Sequence, residues 1–95
     1  MRSEPYQFEV SAGDTSSNEL TVKDFIDKTF EVANLESGSV VIEGLVAVKW
    51  NEILTISSDG VYSITEQLSK VRIKATDAVG ANLEVHMLAL NTRAE

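Results

Sequence analysis

The 95-residue sequence has no cysteine and only one proline, one histidine and one tryptophan. Without cysteine the chain cannot form a disulfide, a thiolate metal site or a cysteine nucleophile. A single histidine, His86, excludes a histidine-rich metal site within one chain. The longest strongly apolar stretch, 40–48, is interrupted by Glu43 and is far shorter than the roughly 20 residues of a transmembrane helix. We therefore expect core packing to stabilise the fold, and we expect no membrane partner.

Positive charge is also scarce. Eight Lys and Arg residues stand against 15 Asp and Glu residues, which gives a formal net charge of -7. Nucleic acid is a poor partner for such a chain, because phosphate binding needs clustered basic residues. The N-terminus carries an early arginine and then Glu4 and Pro5, without the apolar stretch of a signal peptide, so we expect no Sec export.

The sequence does contain apolar residues, 43% of the total, and they recur with period two between turn-forming residues. This pattern predicts an all-β fold: a single antiparallel β-sandwich or jelly-roll-like barrel of about seven to eight strands. One domain over 1–95 accounts for the length, with short flexible segments at 1–5 and 91–95. Such a small chain buries a limited share of its surface, which favours oligomerisation.

Individual strands can be assigned from this alternation. We expect Pro5 to lie outside the first strand, and we expect the Asp59-Gly60 pair to form a tight hairpin that returns the chain antiparallel. The segment 20–30 has partly helical spacing, but its β-branched and aromatic residues favour a brief turn leading into a strand. Five further segments are predicted strands: 6–12, 39–48 (apolar on both faces, as in a strand that is central to a sheet or covered by a subunit), 50–56, 70–75 and 83–90.

The chemistry-bearing residues favour no catalytic or metal site, so we predict a protein that is not an enzyme and uses no cofactor. His86 alternates with apolar residues on an ordinary strand, and a surface or subunit-contact role is favoured. The acids within predicted strands are interpreted as solvent-facing, and the aspartates as turn residues without calcium-loop spacing. These are Glu31, Glu43, Glu52 and Glu84 in the first group and Asp14, Asp59 and Asp77 in the second.

Two features suggest binding. Lys70, Arg72 and Lys74 form a basic row on one strand face, which either meets an acidic patch on another protein or protects a sheet edge. Trp50 is predicted to be a core anchor, with an exposed stacking platform for a sugar, there or at Tyr62, as the alternative.

Several segments resemble small structural proteins of tailed bacteriophages. The resemblance covers most of the chain and is carried by the Asp-Lys-Thr strand at 27–32, the apolar strand at 38–44 and the tryptophan segment at 50–54. A Val-Arg strand at 71–74 and a final strand at 83–85 continue it. The sequence departs from the family at 45–49, where an apolar segment replaces a polar loop bearing Asp and Gly, and we expect this segment to extend the strand.

The resemblance implies a virion component made in the host cytoplasm, most plausibly a capsid decoration (cement) protein on the outer capsid surface. Its implied partners are the major capsid protein and copies of itself in a homotrimer. The flexible ends are candidate arms, which adds Arg2 and Tyr6 to the basic row as candidate partner-binding residues. A carbohydrate- or receptor-binding module and a head-tail joining or tail component are the alternatives.

Overall fold

The alternating sequence pattern folds into eight β-strands, with no helix in the part of the chain that is described. The structure is a computed structural model that describes residues 3–10, 17–23, 25–76, 79–80 and 82–91. The predicted all-β fold is confirmed. The strands are β1 (Ser3–Phe8), β2 (Leu20–Thr21), β3 (Phe25–Ala33), β4 (Val40–Leu45), β5 (Trp50–Ile56), β6 (Gly60–Ile64), β7 (Lys70–Ala75) and β8 (Glu84–Asn91).

The strands form two four-stranded antiparallel sheets, and the chain passes repeatedly from one to the other. Sheet A has the order β1-β8-β3-β6, and sheet B has the order β2-β7-β4-β5. Consecutive strands lie in different sheets except for β4 and β5, which form a hairpin. Two sheets connected in this order form a jelly roll. Most connections therefore lie at the two ends of the sandwich, and the outer face of each sheet is left clear of them.

The core lies between the inner faces of the two sheets. Alternation on β7 sends one set of side chains inward, where they are fully buried, and the other set outward. The rings of Phe8 and Phe30 stack with their centroids 5.9 Å apart within sheet A. The buried set includes Phe8, Phe30, Val32, Ile64, Val85, Met87 and Ala89 from sheet A, and Val40, Ile42, Ile56, Val71, Ile73 and Ala75 from sheet B.

The expected position of Pro5 is wrong. Pro5 lies within β1 opposite Leu88, and the strand begins at Ser3 rather than Tyr6. Because β1 is an edge strand of sheet A, a residue without an N–H can be accommodated there. Residues 3–5 of the expected N-terminal arm thus pair with β8, and Asn91 ends β8. Residues 1–2 and 92–95 lie outside the described part of the chain.

The predicted Asp59-Gly60 hairpin is also wrong. β5 pairs with β4 in sheet B, whereas β6 pairs with β3 in sheet A, so 57–59 connects the two sheets. The Asp59 carboxylate accepts hydrogen bonds from the backbone N–H groups of Asn34 (3.2 Å) and Leu35 (3.0 Å). Asn34 has a φ of 61°. Asp59 therefore ties the β5–β6 connection to the β3–β4 connection.

β4 is central in sheet B, as predicted, but it is shorter than expected. It ends at Leu45, and 46–49 form an exposed hairpin loop instead of extending the strand. The Leu45 carbonyl accepts hydrogen bonds from the Ser69 N–H (2.7 Å) and the Ser69 hydroxyl (2.8 Å). A Cβ at Gly44 would lie 2.7 Å from the end of the Leu68 side chain, so a larger residue at this position would require Leu68 to shift.

Lys28 is fully buried between the sheets. Its ammonium donates a hydrogen bond to the Glu66 backbone carbonyl at 3.0 Å, which fastens the β6–β7 connection to β3. Burial lowers the pKa of Lys28 from its ordinary value of 10.5, and the charges of Glu66 and Asp27 oppose this shift. The folded chain therefore carries a buried amine that protonates less readily than in the unfolded chain.

This burial predicts a specific pH dependence of stability. Between the lowered pKa and 10.5 the unfolded chain binds more protons at Lys28 than the folded chain, so stability rises with pH in that window. The free energy of unfolding of the wild type minus that of Lys28→Met should thus increase from neutral pH toward about 10.5. Urea titrations at a series of pH values measure this difference. The exposed Lys23→Met is the control, and a flat profile for Lys28→Met would contradict the assignment.

Candidate docking face on sheet B

The outer face of sheet B brings together side chains from three adjacent strands. The pairing register aligns Lys70 of β7 with Leu45 and Trp50, and Arg72 with Glu43 and Glu52. A third row aligns Lys74 with Val41 and Thr55. The alternate residues on β7 are buried in the core, so these rows point away from it. We call this surface the sheet B outer face.

Arg72 lies at the centre of this face and contacts three other side chains. Its Nε donates a hydrogen bond to Glu43 Oε1 at 2.7 Å, and its Nη1 lies 3.9 Å from Glu19 Oε2. Its guanidinium carbon lies 4.1 Å from the centroid of the Trp50 ring, which is cation–π distance. The Arg72 side chain therefore reaches over β4 from β7 to β5.

Glu43 is only 9% exposed, so its interpretation as a solvent-facing acid is wrong. β4 has neighbours on both sides, and Arg72 covers the carboxylate from β7. An acid this buried requires a charged partner and hydrogen bonds, which Arg72 supplies. The pair is held in a partly dehydrated part of the outer face.

The core-anchor prediction for Trp50 is wrong as well. The pairing of β4 with β5 shifts register between Ile42 and Glu43, so β5 has one extra residue at this point. As a result, the adjacent residues Ile53 and Leu54 both pack against the core, and Trp50 is moved to the opposite face. Trp50 is half-buried on the outer face under the Arg72 guanidinium.

The basic row predicted from sequence is assembled on this face. Lys70, Arg72 and Lys74 all lie on β7, which pairs with both β2 and β4 and so does not form an edge of the sheet. The edge-protection interpretation is therefore wrong. Lys70 Nζ lies 3.8 Å from Glu19 Oε1. With Glu19, Glu43 and Glu52 beside the three basic residues, the face has no formal net charge.

The other candidate binding residues lie elsewhere. Tyr6 is on β1 in sheet A, where its ring centroid lies 5.8 Å from that of Phe25. Arg2 lies outside the described residues, as do Asp14 and Asp77. Tyr62, an alternative sugar platform, is half-buried and its hydroxyl donates a hydrogen bond to the Ser58 carbonyl at 2.7 Å.

His86 lies on the outer face of sheet A. Its Nε2 is 3.0 Å from Glu84 Oε1, and Glu31 lies opposite it on β3.

The described residues include no group of three or more His, Cys, Asp or Glu side chains that could hold a metal ion. They also include no helix long and apolar enough to cross a bilayer.

Comparison with known proteins finds similarity at the level of the fold. No protein-family model matches the sequence, and no curated protein matches it. The SPBc2 prophage-derived protein YomS has a similar solved structure, with a TM-score of 0.74 and 12% identity over 93% of this chain and 92% of that one. The subunit of Bacillus endospore appendages, described as disulfide-linked pili, gives a TM-score of 0.55 and 12% identity over 97% of this chain and 88% of that one.

Removing the charge of Glu43 should destabilise the fold. Glu43→Gln leaves the partly buried Arg72 guanidinium beside a neutral amide in place of its closest anionic partner, which we expect to lower the free energy of unfolding by about 1–3 kcal/mol. Urea denaturation measures the loss. Glu52→Gln on the same face is the matched control, because Glu52 is exposed, and should change stability by less than about 0.5 kcal/mol. Equal effects of the two substitutions would refute the central role of the ion pair.

Proposed function

We propose that this chain is a virion structural protein that decorates the outer surface of a capsid by binding the major capsid protein, and that it catalyses no reaction. The observation that carries the proposal is the likeness to the prophage-derived YomS, in which nearly the whole of each chain superposes. Both chains are thus accounted for by the same single fold. In this role the protein acts through its binding surfaces. It is made in the host cytoplasm and then becomes part of the virion.

The sheet B outer face is the proposed capsid-binding surface. Tryptophan and arginine are enriched among the residues that dominate protein–protein binding energy, and such residues cluster at partly dehydrated centres. Trp50 and Arg72 stack at the centre of this face, and Lys70 and Glu52 lie around them. Because the charges on the face balance, an acidic chain can approach another protein here without net repulsion.

Self-association supports this role energetically. The chain is short, and single contacts from one copy to a capsid subunit bury little surface. In a homotrimer three equivalent faces bind neighbouring capsid subunits together, so the second and third contacts form at a high effective concentration. The summed contacts then oppose separation of the capsid subunits under internal pressure.

A carbohydrate-binding function is the second candidate, because Trp50 lies on an outer face rather than in the core. A tryptophan ring that binds a sugar must present one of its faces to the ligand. Arg72 lies over the Trp50 ring, and this contact counts against sugar binding at that face. Trp50 is the single tryptophan, so its fluorescence reports on this site without interference. A saturable spectral shift with added sugar would favour this function over capsid binding.

Cosedimentation with capsids that lack the protein tests the main proposal. Wild type should pellet with the capsids and saturate them. Thr55→Arg places a large cation on the edge strand of the sheet B outer face and should weaken pelleting at least about tenfold.

Ser63→Arg is the matched control, since Ser63 is exposed on β6, the edge strand of sheet A, and the charge change is identical. Its binding should equal that of wild type. Failure of the wild type to bind capsids would refute the decoration role, and equal loss with both variants would refute the choice of face.

A further inference from the structure

The four edge strands of the sandwich differ in how well they resist pairing with another strand. The edges are β1 and β6 in sheet A and β2 and β5 in sheet B. An edge strand directs part of its backbone N–H and C=O groups away from the sheet, and proline, charge, bulges and short length discourage a further strand from binding them. β1 contains Pro5, β2 has only two residues, and β5 is bulged and exposes Glu52. Three of the four edges are therefore protected.

β6 has none of these features. Its five residues, Gly60–Ile64, include no charged residue and no proline. Its pairing with β3 runs from Lys28 opposite Ile64 to Val32 opposite Gly60 without a shift in register. Val61 is 67% exposed on the outer face of this strand. A regular, uncharged edge of this kind is open to the addition of a strand from another chain.

The core is incompletely covered on the same side of the sandwich. β5 and β6 lie beside each other there, because only the segment 57–59 connects them. Tyr62 of β6 and Ile53 and Leu54 of β5 pack against the core but are only partly buried. A strand added beside β6 extends sheet A past these side chains and removes more of their apolar surface from water.

We propose that β6 pairs antiparallel with β6 of a second copy, around a two-fold axis that passes beside Tyr62. Tyr62 is the middle residue of the strand, so this register pairs all five residues. It places Tyr62 opposite Tyr62, Val61 opposite Ser63 and Gly60 opposite Ile64 of the second copy. β6 is also the strand that a second copy has to offer, because its other three edges are protected. The contact uses the same surface on both copies and is therefore closed.

The distribution of charge permits this contact between two acidic chains. Each copy has a formal net charge of -7, so copies repel each other unless they meet where charge is sparse. Continued beyond the strand, the register places Asp59 opposite Thr65 and Glu66 opposite Ser58 of the second copy. No acid then lies directly opposite another acid. The Asp59 carboxylate also accepts hydrogen bonds from two N–H groups of its own chain.

The orientation of the two copies is compatible with binding to a shell. The two-fold axis of an antiparallel strand pair is perpendicular to the sheet. Sheet A then continues through eight strands, four from each copy, and both sheet B outer faces point to the same side. A two-fold contact cannot close a trimer, so it joins copies that belong to different trimers. It therefore goes beyond the proposed function, and it requires no capsid to form.

Disulfide cross-linking tests the register, because the chain has no cysteine of its own. Val61→Cys and Ser63→Cys each introduce one thiol at an exposed position of β6. Residues directly opposite each other in an antiparallel pair have Cβ atoms roughly 4.5–5.5 Å apart, which is close enough for a disulfide after a small adjustment. An equimolar mixture of the two variants under mild oxidation should therefore form a linked heterodimer. Leu88→Cys mixed with Ser63→Cys is the matched control, because Leu88 is exposed on β8, away from the edge, and it should cross-link at least about tenfold more slowly.

A charge placed on the edge tests the contact without cross-linking. Position 61 lies opposite Glu31 of β3, so Val61→Lys adds an opposite-charge pair within the chain and should fold. By sedimentation equilibrium the mass of the wild type should double reversibly with concentration, and Val61→Lys should raise the dissociation constant at least about tenfold. Leu88→Lys is the matched control and should associate like wild type. Both variants should still bind capsids, because capsid binding is assigned to the sheet B outer face.

Three results would overturn the proposal: a wild-type mass that does not double, cross-linking of positions 61 and 63 no faster than the control, and association of Val61→Lys equal to that of wild type. Association through another surface gives the second and third of these results. A wild type that binds capsids but gives no such cross-link overturns this contact alone. A wild type that cross-links as expected but does not bind capsids overturns only the proposed function.

Discussion

The structure depends on one constraint: consecutive strands alternate between two sheets, with β4 and β5 as the exception. Each crossing leaves backbone groups outside the regular ladders, and these groups need partners. The Asp59 carboxylate supplies acceptors for two N–H groups of the β3–β4 connection, and Ser69 donates to the end of β4. The buried Lys28 donates to the Glu66 carbonyl in the same way. Polar anchors at the crossings thus allow an apolar core between the sheets.

This constraint also decides where function can reside. Connections gather at the two ends, so the outer faces of the sheets are free to carry flat arrays of side chains. On sheet B that array is organised by Arg72, which joins β7 to β4 through Glu43 and to β5 through Trp50. The ends carry a shallow groove beside Asp59 and the exposed loop of residues 46–49. Faces and ends therefore present different kinds of surface.

Much of the fold could be predicted from period-two alternation, because an inner face must be apolar wherever a strand covers the core. The segment 70–75 is the clearest case, and its buried residues are those that alternation selects. Two errors have different causes. One extra residue in β5 reverses the facing of Trp50, and no single-sequence pattern reveals a bulge. Asp59-Gly60 has hairpin chemistry, but β6 pairs with the distant β3.

Period-two alternation also predicts part of the candidate docking face. Lys70, Arg72 and Lys74 share a face by simple alternation, and the sequence identifies them. Their partners Glu19 and Glu43 belong to the segments flanking β7 in space, and contacts of this kind follow from sheet order, which the sequence alone does not determine. The sequence pattern does not predict the exposed β4–β5 loop. Its residues 46–49 continue the apolar run of β4, and none of them is the Gly or Asn that would mark a turn.

The sheet B outer face is the proposed capsid-binding surface. A cryo-electron microscopy reconstruction of capsids saturated with the protein tests it most directly, because the jelly-roll orientation can be fitted from the distinct edges of the two sheets. We expect density in which β7, β4 and β5 face the shell, with Trp50 and Arg72 at the contact. Density in which the outer face of sheet A lies against the shell would contradict it.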